Sequence, residues 1–117
     1  MKWAAIALLI LIITATFSSG LDSQFQFDDF PNIVKNDRVH IQEFSLAQLK
    51  EVLFSGHSGV LMRPVSMISF GLNYYFSDLT PSYYKVTNLA IHVVNAILIF
   101  FLSGLLMQRL CLQRMRD

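Results

Sequence analysis

The fold is decided by an uncharged stretch of 22 residues, Val86 to Met107, which reads VTNLAIHVVNAILIFFLSGLLM. At about 1.5 Å per residue, a helix of this length reaches roughly 33 Å, enough to cross a hydrocarbon core of about 30 Å. Upstream of it, Thr80 suits an N-cap and Pro81 suits the first helical position. The pattern predicts a transmembrane helix over residues 81–107.

Basic residues follow this span in the short tail of residues 108–117. Arg109, Arg114 and Arg116 lie within ten residues of Met107. Cytoplasmic flanks of membrane helices carry an excess of Lys and Arg, which predicts a cytoplasmic C-terminus. The segment before the span is then an extracytoplasmic loop, in the periplasm or a lumen, and the chain is an integral membrane protein.

The first hydrophobic segment of the chain, Trp3 to Phe17, follows Lys2 and is itself followed by small residues. It is compatible with a transmembrane helix or signal anchor over residues 1–20, and also with a secretory signal peptide cleaved before Leu21. We expect the uncleaved helix. The predicted fold is therefore an all-α membrane protein, in which two hydrophobic helices are joined by an extracytoplasmic loop over residues 21–80.

The loop itself contains signals for two short helices. Ser45 and Gln48 have the spacing of a capping box, which predicts a helix near residues 46–54 with Leu46, Leu49 and Leu53 on one face. Pro64 favours the start of a second helix over residues 64–76. This helix is apolar on nearly all sides, so we expect it at the membrane surface or beneath other protein.

Composition and charge exclude several classes of protein. The chain is 54% hydrophobic and only 15% charged, which is unlike a free-standing soluble enzyme. The net charge is +1 and the nine Lys and Arg residues form no basic stripe, so we expect no nucleic-acid partner.

Polar residues within the second hydrophobic segment fall on one side of the predicted helix. Asn88, His92, Asn95 and Ser103 lie within roughly 80° of one another at 100° per residue. Polar side chains in a span usually face other helices or a wet cavity, which predicts further transmembrane helices as partners. The stripe is interpreted either as hydrogen bonding between helices or as direct substrate contact by His92.

Two adjacent acids, Asp28 and Asp29, follow the first hydrophobic segment among aromatic residues. Adjacent carboxylates repel, so protonation of one or pairing with a cation is favoured. Arg63 is the expected cation, as an ion-pair mate or as a clamp for a phosphate. The alternative is a solvated turn before Pro31.

A metal site built from Asp28, Asp29, His40 and His57 would lack any recognisable ligand spacing. We therefore expect neither a divalent metal nor another cofactor.

Three stretches together resemble the first luminal loop and second span of the GT-C class of membrane glycosyltransferases. They are FDDFPNIV at residues 27–34, RPVSMISF at residues 63–70 and YKVTNLAIH at residues 84–92. The match is to the protein O-mannosyltransferase-like branch, which includes proteins with tetratricopeptide repeats. The resemblance implies a sugar donor carried on a polyprenyl phosphate in the membrane, and an acid that acts as general base toward an acceptor hydroxyl. By position, Asp28 would be that base, Asp29 would be its neighbour, and Arg63, Asn88 and His92 would support the site.

Enzymes of this class have many membrane helices, whereas only two hydrophobic segments occur here. We therefore expect the chain to be an N-terminal, incomplete part of such an enzyme and to be inactive by itself, because an active site needs walls that exclude water. The alternative is a small non-enzymatic membrane protein that packs against a larger membrane partner.

Overall fold

A computed structural model describes residues 2–56 and 63–114 of the chain. All regular structure within these ranges is helical, which confirms the all-α prediction. The α-helices are α1 (Lys2–Ser18), α2 (Leu46–Leu53), α3 (Pro64–Ser77) and α4 (Pro81–Arg114), with a π-helical turn at Phe30–Val34 and a 3₁₀ turn at Asp37–Val39.

The chain divides into two compact units. The helical unit contains α1 and the part of α4 from residue 88 onward, and the loop unit contains residues 20–87. The loop unit therefore includes both short helices and the first residues of α4.

Helix α4 begins at Pro81, as the sequence predicts, and continues to Arg114. The basic tail expected from residue 108 is thus helical through Arg114, while Arg116 lies outside the described residues. By length and composition, α4 is the one helix in the described ranges that could cross a membrane, and none of its most apolar stretch is buried within the protein. This long apolar helix fits a membrane-associated protein.

Helix α1 is also apolar but has only 17 residues, or about 25 Å at 1.5 Å per residue. The hydroxyls of Thr14 and Thr16 donate hydrogen bonds to the carbonyls of Ile10 and Ile12, so these polar side chains are satisfied within the helix. That α1 crosses a membrane stays a prediction.

Helix α2 begins where the capping pattern predicts. The Ser45 hydroxyl accepts a hydrogen bond from the Gln48 backbone N–H at 3.2 Å, and the Gln48 side-chain oxygen accepts from the Glu43 N–H at 3.1 Å. The expected apolar face is only partly correct, because Leu46 is 81% exposed and Val52 is fully buried. The side of α2 that meets α3 and the 3₁₀ turn is the side that carries Val52.

Helix α3 extends one residue beyond the predicted range and packs on α2. Its Met67 is buried with Val39, Ile41 and Val52 in the small core of the loop unit. Gly71 allows α3 to lie close to the Ile41 side chain, because a Cβ atom at Gly71 would be only 2.7 Å from the Ile41 Cδ1 atom. The opposite side of α3 is open, and both Val65 and Phe76 are about 80% exposed.

Buried polar contacts tie the π turn to the end of α2. The Asn36 side-chain amide donates to the Ser55 carbonyl at 3.0 Å and to the Asn32 carbonyl at 3.3 Å. Asn36 and Ser55 are almost fully buried. Because unpaired amides are costly inside a protein, these bonds hold the π turn in one position.

Candidate functional site

The loop unit contains a cavity of about 120 Å³. Its lining brings together the acid pair and the arginine that the sequence analysis identified, although Arg63 is far from the acids along the chain. The lining residues are Asp28, Asp29, Asn32, Ile33, Gly56, Arg63, Ser66, Met67 and Phe70.

The acidic side of the cavity is shaped by a tight turn that leads into the π turn. Phe27 has a left-handed backbone with φ of 41°, which is costly for a residue other than glycine. The Asp29 carboxylate accepts a hydrogen bond from the Gln26 N–H at 2.9 Å, and the Asn32 side-chain amide donates to the Asp28 carbonyl at 2.8 Å. The backbone around the acid pair is therefore held from both sides.

The two carboxylates have different surroundings. Asp29 is half-buried and is engaged with the Gln26 backbone. Asp28 is exposed, and its carboxylate accepts no hydrogen bond from any residue in the described ranges. Of the two, Asp28 is the carboxylate that is available to accept a proton.

Arg63 also lines the cavity and lies directly before α3. Its backbone is left-handed, with φ of 43° and ψ of 56°, and Pro64 opens the helix. Its side chain is exposed, and within the described parts of the chain no carboxylate oxygen lies within 4 Å of its guanidinium. The direct ion pair considered from the sequence is thus absent, although the cation and the acids line the same cavity.

The floor of the cavity is apolar and belongs to the core. Ile33 and Met67 are each 2% exposed, and Phe70 packs against the core cluster. The site therefore combines a rigid apolar floor with a charged rim, a combination that is typical of small-molecule sites.

The remaining predicted site residues lie in the helical unit. The imidazole of His92 stacks on the ring of Phe17, with centroids 5.4 Å apart and planes 12° from parallel. Asn88 is exposed on α4. Neither residue lines the cavity, and the supporting roles expected for them stay predictions.

No group of three or more possible metal ligands occurs in the portion of the chain that the structure describes. His40 instead bonds the Ile33 carbonyl through Nε2 at 2.9 Å and stacks on Tyr74. His57 lies outside the described residues.

Sequence reasoning missed Asn32, which lines the cavity and binds the Asp28 backbone. Its spacing of four residues from Asp28 places both in one helical turn, and that spacing could have indicated the contact. Ser66 was also missed, because its place in the lining depends on how α3 packs.

The fold and the site define an all-helical, membrane-associated protein in which an acid pair and an arginine line one small cavity. Comparison with curated proteins identifies relatives of the chain. The chain is 32% identical over 102 residues to the Caenorhabditis elegans protein O-mannosyl-transferase F38B6.6, covering 83% of this chain and 15% of that protein. It is 28% identical to human protein O-mannosyl-transferase TMTC3 and 26% identical to the mouse protein of the same name, covering 80% of this chain and 11% of each.

By sequence, the chain is thus a relative of the protein O-mannosyl-transferases, which confirms the resemblance seen in its motifs. It spans only 11–15% of the length of these relatives. No family model matches the chain, and no solved structure matches it.

Proposed function

We propose that this chain forms part of an integral membrane glycosyltransferase of the GT-C class, which transfers a sugar from a polyprenyl phosphate to an acceptor hydroxyl. The observation that carries the proposal is the cavity that Asp28, Asp29 and Arg63 line together. The relationship to proteins named O-mannosyl-transferases supports the sugar-transfer chemistry.

In this reaction Asp28 is the general base. Its carboxylate takes the proton of the acceptor hydroxyl as that oxygen attacks the anomeric carbon of the sugar, and the bond between that carbon and the phosphate oxygen breaks. The exposed and unengaged carboxylate of Asp28 is suited to this step, whereas Asp29 is held by the Gln26 N–H. Asp29 is the neighbour that maintains the geometry of the turn.

Arg63 binds the phosphate of the donor. A guanidinium presents a planar set of donors that matches phosphate oxygens, and its charge stabilises the polyprenyl phosphate as it leaves. Because Asp28 and Arg63 line the same small cavity, the base and the cation that binds the leaving group share one site. A metal is not needed for this division of roles.

The remaining walls of the active site come from elsewhere in a larger assembly. A cavity of about 120 Å³ holds only part of a lipid-linked sugar, and transfer requires a site from which water is excluded. We propose that further transmembrane helices supply these walls and contact the polar stripe of α4. In this arrangement the loop unit is extracytoplasmic, the C-terminus is cytoplasmic and α1 is a second membrane helix.

A chimera tests the proposal directly. This chain replaces the matched 102-residue segment of the Caenorhabditis elegans relative, and transfer of labelled mannose from polyprenyl phosphate to an acceptor peptide is measured in membranes. Asp28→Asn is expected to lower the rate by about 10²- to 10⁴-fold, because the general base is lost. Asp22→Asn is the matched control, since Asp22 is exposed in the same unit and does not line the cavity. Equal rates for the two variants would contradict the proposal.

A second candidate function is supported by the exposure of α4. Leu98, Ile99 and Leu105 are each about 60% exposed. A small non-enzymatic membrane protein could use this surface to pack against a larger membrane partner. Stoichiometric copurification of the chain with one other membrane protein, without sugar transfer by the chimera, would favour this function.

A further inference from the structure

The helical unit contains an apolar groove that the sugar-transfer proposal does not use. It lies where the start of α1 meets the second half of α4, and its volume is about 370 Å³. Its walls include Phe100, Phe101, Leu105 and Met107. The groove is open beside Gly104, because a Cβ atom there would meet nothing within 4 Å.

One end of this groove is positively charged. Lys2 lines the groove together with Gln108, and Arg109 is the next residue of α4. Residues 2–19 and 88–114 contain no Asp or Glu, so no acid of the described helical unit neutralises these cations. An apolar groove that ends at uncompensated positive charge matches a ligand with a hydrocarbon chain and an anionic head.

We propose that this groove binds an anionic phospholipid, with an acyl chain against Phe100 and Leu105 and the phosphate at Lys2. The inference rests on the membrane location proposed above, but not on sugar transfer. The cytoplasmic leaflet, where the C-terminal end of α4 is expected, is the leaflet that carries anionic lipids. The alternative occupant is a neutral apolar helix from another protein. It would fill the groove but would leave the charge of Lys2 without an anionic partner.

Lipid retention tests the proposal. The full chain is purified in detergent and exposed to equal amounts of phosphatidylserine and phosphatidylcholine with identical acyl chains, and bound lipids are counted by native mass spectrometry. The wild-type chain is expected to retain phosphatidylserine in preference. Lys2→Gln is expected to lower the ratio of bound phosphatidylserine to phosphatidylcholine about fivefold, because one cation at the headgroup is lost.

Matched variants separate the groove from general lipid association. Lys50→Gln removes an exposed cation of the loop unit and is expected to leave the ratio unchanged. Gly104→Leu fills the groove and is expected to abolish retention of phosphatidylserine, whereas Ala90→Leu introduces a leucine outside the groove lining and is expected to preserve it.

Three results of the lipid-binding measurements would overturn the proposal. They are a wild-type chain without preference between the two lipids, a Lys2→Gln variant with the wild-type ratio, and a Gly104→Leu variant that binds phosphatidylserine as well as the wild type. A lipid-free oligomer would also overturn it, because the groove would then bind protein. Sugar transfer by the chimera is measured separately, so failure of either proposal is visible independently.

Discussion

The imidazole of His40 stacks on the ring of Tyr74, with centroids 4.3 Å apart and planes 13° from parallel. The same imidazole bonds the Ile33 carbonyl at 2.9 Å, so one side chain connects α3 to the π turn. Since Ile33 lines the cavity, this connection fixes one wall of the candidate site to the helix that carries the opposite wall.

Replacing His40 with alanine is expected to loosen the π turn. Loss of one hydrogen bond and one ring stack should lower the free energy of unfolding of the loop unit by about 1–3 kcal/mol. Hydrogen exchange of residues 30–41 measures the effect. Tyr74→Phe keeps the ring and is the control, for which we expect near wild-type exchange. Equal protection in His40→Ala would show that the bond and the stack do not hold the turn.

Gly71→Ala is expected to destabilise the loop unit by about 1–3 kcal/mol, because overpacking forces neighbours to move. The added methyl group would lie 2.7 Å from the Ile41 Cδ1 atom and 3.2 Å from the Val52 Cγ1 atom, and both side chains are buried. Gly104→Ala is the control in α4, where the added atom meets nothing within 4 Å. Hydrogen exchange should show faster opening of α2 and α3 only in the first variant.

Asn36→Asp tests the buried hydrogen bonds that connect the π turn to the end of α2. The substitution removes the amide that donates to the carbonyls of Ser55 and Asn32, and puts an acidic group against them. We expect a loss of about 3 kcal/mol or more in the free energy of unfolding, because a buried charge is left without a partner. The control is Gln42→Glu, which also converts a side-chain amide to a carboxylate, but at an exposed position of the loop unit. Matching thermal denaturation curves for the two variants would exclude a structural role for Asn36.

Arg63→Gly should separate phosphate binding from folding. Glycine adopts the left-handed φ of 43° without the penalty that arginine has, so the variant should fold at least as well as the wild type. In the chimera, the KM for the donor should rise about tenfold to a hundredfold, which corresponds to loss of a charged hydrogen bond. Arg38→Gly, at an exposed arginine outside the cavity lining, should leave this KM unchanged. A kcat/KM for the donor equal to that of the wild-type chimera would contradict the phosphate role.

The aromatic end of α3 is expected to contact the membrane surface. Phe44, Tyr75 and Phe76 form consecutive edge-to-face pairs and are 43–79% exposed, and Phe76 lies just before α4. With Trp3 replaced by phenylalanine, Phe76→Trp should be quenched by brominated lipids. Phe54→Trp is the control, because Phe54 is 66% exposed at the far end of α2 beside Arg38, Lys50 and Glu51. Equal quenching of the two would contradict this orientation.

Local signals determined most of the secondary structure from the sequence. The start of α2 follows from Ser45 and Gln48, and the starts of α3 and α4 follow from Pro64 and Pro81, because each depends on atoms within one helical turn. The length and lack of charge of residues 86–107 sufficed to predict α4 as a candidate span, since crossing a bilayer depends on length and polarity alone.

The tertiary structure decided what the helices bury and which residues meet. Leu46 and Val52 are both apolar residues of α2, yet only Val52 is buried, because the position of α3 selects the face. The sequence suggested Arg63 as a partner for the acid pair, but only packing brought these residues to one cavity without an ion pair. Distances between residues far apart in the chain depend on the summed packing of every element between them, which no local pattern contains.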